Sequence, residues 1–167
     1  SWGGLERVTG RTHDRIAALV ENDLALYVSH LPLDGHQELG NAAGVADAVG
    51  LAEREPFGEI GPVPIGTIGE TAEPPPAASI RETLDGFEGQ PDGERAPTRV
   101  LDFGPDRIER VAVVTGSGVD WLDEAVTAGA DALITGEGKQ QVYHDAREAG
   151  VTVFLGGHYA TETFGVR

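Results

Sequence analysis

Apolar positions first recur at helical spacing: Ile16, Leu19 and Val20 share one face of a helix that Thr12 is expected to cap. The pattern then turns strand-like from about Leu24 to Ser29, and a loop carrying His30, Asp34 and His36 follows. Glu38 to Val49 predicts a helix of small residues stopped by Gly50. From Glu53 to Glu70 glycine and proline dominate, with one alternating stretch, Val63 to Ile68, that suits a strand. "EPPP" marks a turn, "ASIRETLDGF" a short helix with Ser79 as its cap, and "GQPDGERAP" an exposed loop with nothing to bury.

The last third is the most regular. Val111 to Val114, Ala132 to Ile134 and Val151 to Leu155 are continuous apolar runs, separated by helical patterns at Asp120 to Ala128 and Gln140 to Ala149. Strands apolar on both faces and alternating with helices predict a parallel sheet covered by helices, an α/β fold. Each run ends in a glycine turn, "TGSG", "TGEG" or "GGH". These turns lie at the carboxyl edge of the sheet, where open α/β folds bind ligands.

A chain of 167 residues has room for one well-buried core. No apolar stretch reaches the roughly 18 to 20 residues of a membrane helix, so the expected setting is soluble and cytoplasmic. The absence of cysteine removes disulfides, thiolate nucleophiles and cysteine-bound metals, and leaves His, Asp and Glu as the strong ligands. The formal charge of −16, from 28 acidic against 12 basic residues, argues against nucleic acid as a partner. The acidity is spread along the chain, and Lys139 is its single lysine. That composition resembles proteins of salt-saturated, halophilic cytoplasms, where screening over about 3 Å at 1 M limits self-repulsion.

Two nucleotide-binding patterns fail on inspection. "TGSGVDW" puts Trp121 where a dinucleotide fingerprint needs its third glycine, and "TGEGKQQ" has Leu133 and Gln140 where a P-loop needs glycine and a hydroxyl. Both read as tight turns whose backbone amides remain open to an anion. Ser117 lacks the surroundings of a nucleophile elbow. His13 and His36 read as surface residues, and His144 as either facing the sheet edge or closing a core hydrogen bond.

Two stretches carry more chemistry. "GGHYATETFG" sets His158 and Glu162 four apart, on one helical face, where they can converge on an ion or merely attract each other. "SHLPLDGHQELGN" gathers His30, Asp34 and His36 directly after the expected strand.

Together with "WGGLERVTG", "VAVVTGSGVD", "GADALITGE" and "HDAREAGV", in this order along the chain, these stretches resemble the NIF-three-like family, also called GTP cyclohydrolase I type 2 homologues or dinuclear metal centre proteins. The resemblance implies an α/β fold of two related halves flanking a metal cleft, with parallel or mixed sheets and packed helices. Residues 1–70 would form part of the first half, 71–105 a linker helix and loop, and 106–167 a second-half βαβαβ unit. It also implies Asp34, His158 and Glu162 as metal ligands, His30 and His144 as pocket residues available for proton transfer, and two divalent ions of zinc, iron, manganese or nickel. Family members commonly assemble as hexameric rings, so a homo-oligomer is expected. The family carries two adjacent histidines ahead of the tryptophan matching Trp2, so the chain is expected to be a fragment with three of five ligands, its end at Arg167 falling inside a helix. Ala42 departs from a frequent asparagine. The implied activity is a metal-dependent hydrolase acting on a phosphorylated or nucleotide-like small molecule; the alternative is a non-catalytic metal-binding ring.

Overall fold

Val111 and Val113 point to one side of a strand, Ala112 and Val114 to the other, and all four are buried. Only a strand covered on both faces tolerates that pattern. The computed structural model, which describes residues 7–87 and 96–166, places it near the middle of a six-stranded mixed sheet. The strands are β1 (Leu51–Ile60), β2 (Val63–Thr71), β3 (Arg99–Leu101), β4 (Arg110–Val113), β5 (Ala132–Thr135) and β6 (Thr152–Leu155). Their order is β1-β2-β4-β5-β6-β3. β4, β5 and β6 run parallel, as expected, with Val111 opposite Ala132 and Leu133 opposite Val153. β2 is antiparallel to β4, and β3 to β6.

Helices cover both faces. On one, α3 (Asn41–Ala48) and α4 (Ala77–Asp85) bring Val45, Ala46, Ile80 and Leu84 against Val111, Val113, Ile134 and Phe154. On the other, α5 (Leu122–Thr127) and α6 (Val142–Ala149) bring Leu122, Ala125, Val142 and Ala146 against Ala112, Leu133 and Val153. No helix among the described residues is long and apolar enough to cross a membrane.

Several local expectations are corrected. The first helix, α1 (Arg11–Glu21), starts after Gly10 at φ 53°, with Thr12 inside it and no side-chain cap. Leu24 to Ser29 joins no strand; Leu26 is 72% and Tyr27 89% exposed, so this apolar run meets no sheet among the described residues. The loop bearing Asp34 closes into one helical turn, α2 (Leu31–Asp34), with Pro32 in its first turn, where a missing N–H does no harm. Glu38 to Leu39 is not helical, because their N–H groups bond to His36 Nδ1 and α3 begins only at Asn41. Pro76, not Ser79, caps α4.

The glycine- and proline-rich stretch is a full hairpin rather than a lone strand. β1 escaped notice because its outer positions are charged and exposed, as an edge strand requires, and because a bulge between Ala52 and Glu55 breaks its alternation. Pro56 is tolerated for the same reason. β3, three residues inside the expected linker, joins the opposite edge. The "GQPDGERAP" loop falls largely on residues outside those described, as does Trp2.

Replacing Phe154, fully buried between β6 and the α3–α4 layer, by alanine is expected to cost about 3–5 kcal/mol, whereas Val126→Ala on the exposed side of α5 should stay within about 0.5 kcal/mol. Guanidinium unfolding of the two variants side by side checks this, and equal losses would contradict the assignment of the core.

Candidate metal centre

Parallel strands end on the same side, so the turns after β4, β5 and β6 meet at one edge. The turn after β6 leads into α7 (His158–Thr161), a single turn entered through Gly157 at φ 92°. Helical spacing then aims His158 and Glu162 the same way, with Nε2 3.2 Å from Oε1. The floor beneath them is glycine by necessity. A β-carbon on Gly116 would lie 2.1 Å from Glu162 Oε1 and 2.9 Å from His158 Nε2.

Asp34 reaches this edge from the other end of the chain. It is buried, and Asn41 Nδ2 donates a 2.8 Å hydrogen bond to Oδ1. Asn41 Oδ1 in turn accepts from the Gly165 backbone N–H at 2.8 Å, so one amide side chain fixes both the carboxylate and the turn beyond Glu162. His30 Nε2 stands 3.5 Å from Asp34 Oδ2, again four residues apart. Donor atoms of His30, Asp34 and Glu162 all lie within 4.8 Å of one another.

Of the expected site residues, Asp34, His158, Glu162 and His30 line one cleft of about 280 Å³. His144 does not: it sits on the exposed side of α6, its ring 5.5 Å from that of Tyr143. His36 is spent on the backbone N–H groups of Glu38 and Leu39, and His13 is exposed beside Asp14 at 3.2 Å.

One participant was missed. Glu137, in the "TGEG" turn after β5, bonds to His158 Nδ1 at 2.9 Å and accepts from Ser117 Oγ at 2.5 Å. A carboxylate on Nδ1 fixes the tautomer that leaves the Nε2 lone pair facing the cleft. A carboxylate two residues past a strand at the ligand-binding edge was the signal available in the sequence.

The electrostatics separate these groups. The Ser117 hydroxyl, and after it the His158 hydrogen bond, hold the Glu137 carboxyl below its usual range. Burial lowers the His158 pKa, but the bond to Glu137 and the charges of Glu162, Glu137 and Asp34 outweigh it, so the net shift is upward. Burial, helped by Asp34, raises the Glu162 pKa against the opposing pull of His158 and His30. Oxygen and imidazole donors of this kind fit a divalent cation such as zinc, iron, manganese or nickel.

Comparison with known proteins extends the likeness to the whole chain. A protein of Halobacterium salinarum named GTP cyclohydrolase 1 type 2 homolog is 58% identical over 167 residues, which cover 100% of this chain and 65% of the relative. Among solved structures, protein ybgI, titled as of unknown function, superposes with a TM-score of 0.79 at 36% identity, over 99% of this chain and 63% of that one. TTHA1606 from Thermus thermophilus gives a TM-score of 0.81 at 33% identity, over 99% of this chain and 62% of that one. The chain thus spans less than two thirds of the length of these relatives. The family model described as Duf34/NIF3 (NGG1p interacting factor 3) matches residues 1–167, and with the ordered motifs and the shared fold this makes the chain a member of the Duf34/NIF3 family.

Proposed function

We propose that this chain forms the greater part of a dinuclear metal-dependent hydrolase acting on a phosphorylated or nucleotide-like small molecule. The observation that carries the reading is the convergence of His30, Asp34 and Glu162 donor atoms within 4.8 Å, beside a His158 whose Nδ1 is already engaged. Asp34, His158 and Glu162 are the proposed ligands. His30, expected to transfer protons, is close enough to serve as a further donor instead. The count of two ions rests on the family resemblance.

Asp34, His158 and Glu162 would hold divalent cations here, which would supply Lewis-acid polarisation of a substrate oxygen and a more acidic water. The chain's own residues do the rest. Glu137 and Ser117 hold the His158 ring in one orientation, and Asn41 does the same for Asp34. The cleft admits a small ligand from solvent, at the sheet edge where α/β enzymes bind theirs.

Elemental analysis of the full-length protein purified in high salt should find near-stoichiometric metal that His158→Ala or Asp34→Ala removes; no metal in the unaltered protein would defeat the reading. A metal-loaded protein inert toward a broad phosphoester and nucleotide panel would leave the non-catalytic metal-binding alternative in its place.

Glu137→Gln keeps the shape but weakens the hold on the imidazole. Metal affinity is expected to fall roughly 10- to 100-fold with the circular dichroism unchanged. An unaltered affinity in a competition titration with a chelator would show that Glu137 does not orient His158.

Metal binding should also depend on pH in a defined direction. His158 must lose its proton to bind a cation, and its pKa is raised above the ordinary 6.5, so protons compete more strongly than at a free imidazole. Affinity is therefore expected to begin falling above pH 6.5 as acid is added, and to keep falling as Glu162, also raised, protonates. Manganese titrations across this range check the sign; affinity that is flat down to about pH 5 would contradict it.

A further inference from the structure

The cleft is lined by side chains of two kinds, with Asp120, Thr115 and Ser117 also on its surface. His30, Asp34, His158 and Glu162 supply metal-type donors, while Leu31, Ile60, Ile65 and Trp121 supply apolar surface. Trp121 ends the short 3-10 turn, Gly118–Trp121, that follows β4. Its indole rests on the β1–β2 hairpin. A β-carbon on Gly58 would lie 3.0 Å from Cδ1 and 3.2 Å from Nε1, so the five-membered ring sits directly on the backbone there, and Gly58 itself takes φ 65°. The ring is packed against the core, is only partly buried, and contributes to the cleft lining.

A phosphate gains little from an indole in a cleft that also carries aliphatic side chains. A planar heteroaromatic ring gains dispersion and loses unfavourable contact with water. The volume of about 280 Å³ is close to the roughly 300 Å³ of the smaller small-molecule sites, room for a heteroaromatic ring with a polar substituent.

We propose that Trp121 determines specificity in this cleft, as the platform for a planar heteroaromatic ring whose oxygen-bearing end faces His30, Asp34 and Glu162. The orientation of that end rests on the metal reading above; the platform does not.

The test is equilibrium binding of the four ribonucleoside monophosphates to the metal-loaded full-length protein, with ribose 5-phosphate as the ring-free probe and metal content measured on the same samples. At least one nucleotide should bind more tightly than ribose 5-phosphate. Trp121→Leu should weaken that nucleotide roughly 5- to 150-fold, the range that loss of one stacked base implies, and leave ribose 5-phosphate and metal content unchanged. Trp121→Phe, which keeps a platform and guards against a misfolded variant, should stay within a few-fold of the original. Equal nucleotide affinity in Trp121→Leu, ribose 5-phosphate binding as tightly as every nucleotide, or no nucleotide binding at all would overturn the proposal. If the protein holds no metal but a nucleotide still binds in a Trp121-dependent way, the metal reading fails and the platform stands.

Discussion

Glu162 Oε1 occupies the space that a side chain on Gly116 would need, 2.1 Å from where its β-carbon would be. The same crowding recurs one turn away, where a β-carbon on Gly136 would meet the Cα of His158 at 2.7 Å and Thr161 Oγ1 at 2.9 Å. Thr161 is buried between the two turns, accepting from the Gly116 N–H at 3.2 Å and donating within its own turn of helix. α7 is therefore seated on the bare backbone of the first two glycine turns. Any side chain at either position would displace His158 and Glu162 together, because both ride on that one helical turn. The "TGSG" and "TGEG" turns matter less for the phosphates they might cradle than for the side chains they lack.

Asn41 ties the rest of the cleft to that seat. Its amide holds Asp34 with one end and the Gly165 backbone with the other, across 124 residues of chain. A buried carboxylate needs hydrogen bonds to remain tolerable, and a carboxylate brought in by a separate element needs something to fix its distance from α7. One side chain meets both needs, so the early and late parts of the sequence share a single register at the cleft.

What could be read from the sequence follows from this arrangement. β4, β5 and β6 announced themselves because strands buried on both faces leave continuous apolar runs. β1 did not, since Glu53, Arg54 and Glu55 face solvent at the sheet's edge and Glu53 adopts φ 47° at the bulge. Leu24 to Ser29 misled in the opposite sense: its apolar, strand-like run is real, but nothing among the described residues covers it. The His158–Glu162 pair was visible as local spacing. Its meeting with Asp34 was not, because no periodicity links residues that far apart; ordered motifs and their family resemblance supplied that expectation. Glu137 was overlooked because a glycine turn hid a long-range hydrogen bond, and His144 was overvalued because a helical histidine gives no hint of which way it faces.

The hairpin that escaped the sequence pattern gives the cleft part of its apolar lining through Ile60 and Ile65, and the two glutamates that meet His158 are not alike. Glu137 accepts two hydrogen bonds and is stabilised as an anion. Glu162, half-buried and close to Asp34, is destabilised as one. Environments that push neighbouring carboxyls in opposite directions assign them different work. Glu137 is a settled anion whose charge is already used on His158. Glu162 carries an electrostatic cost from its burial and from Asp34 that the nearby imidazoles only partly offset.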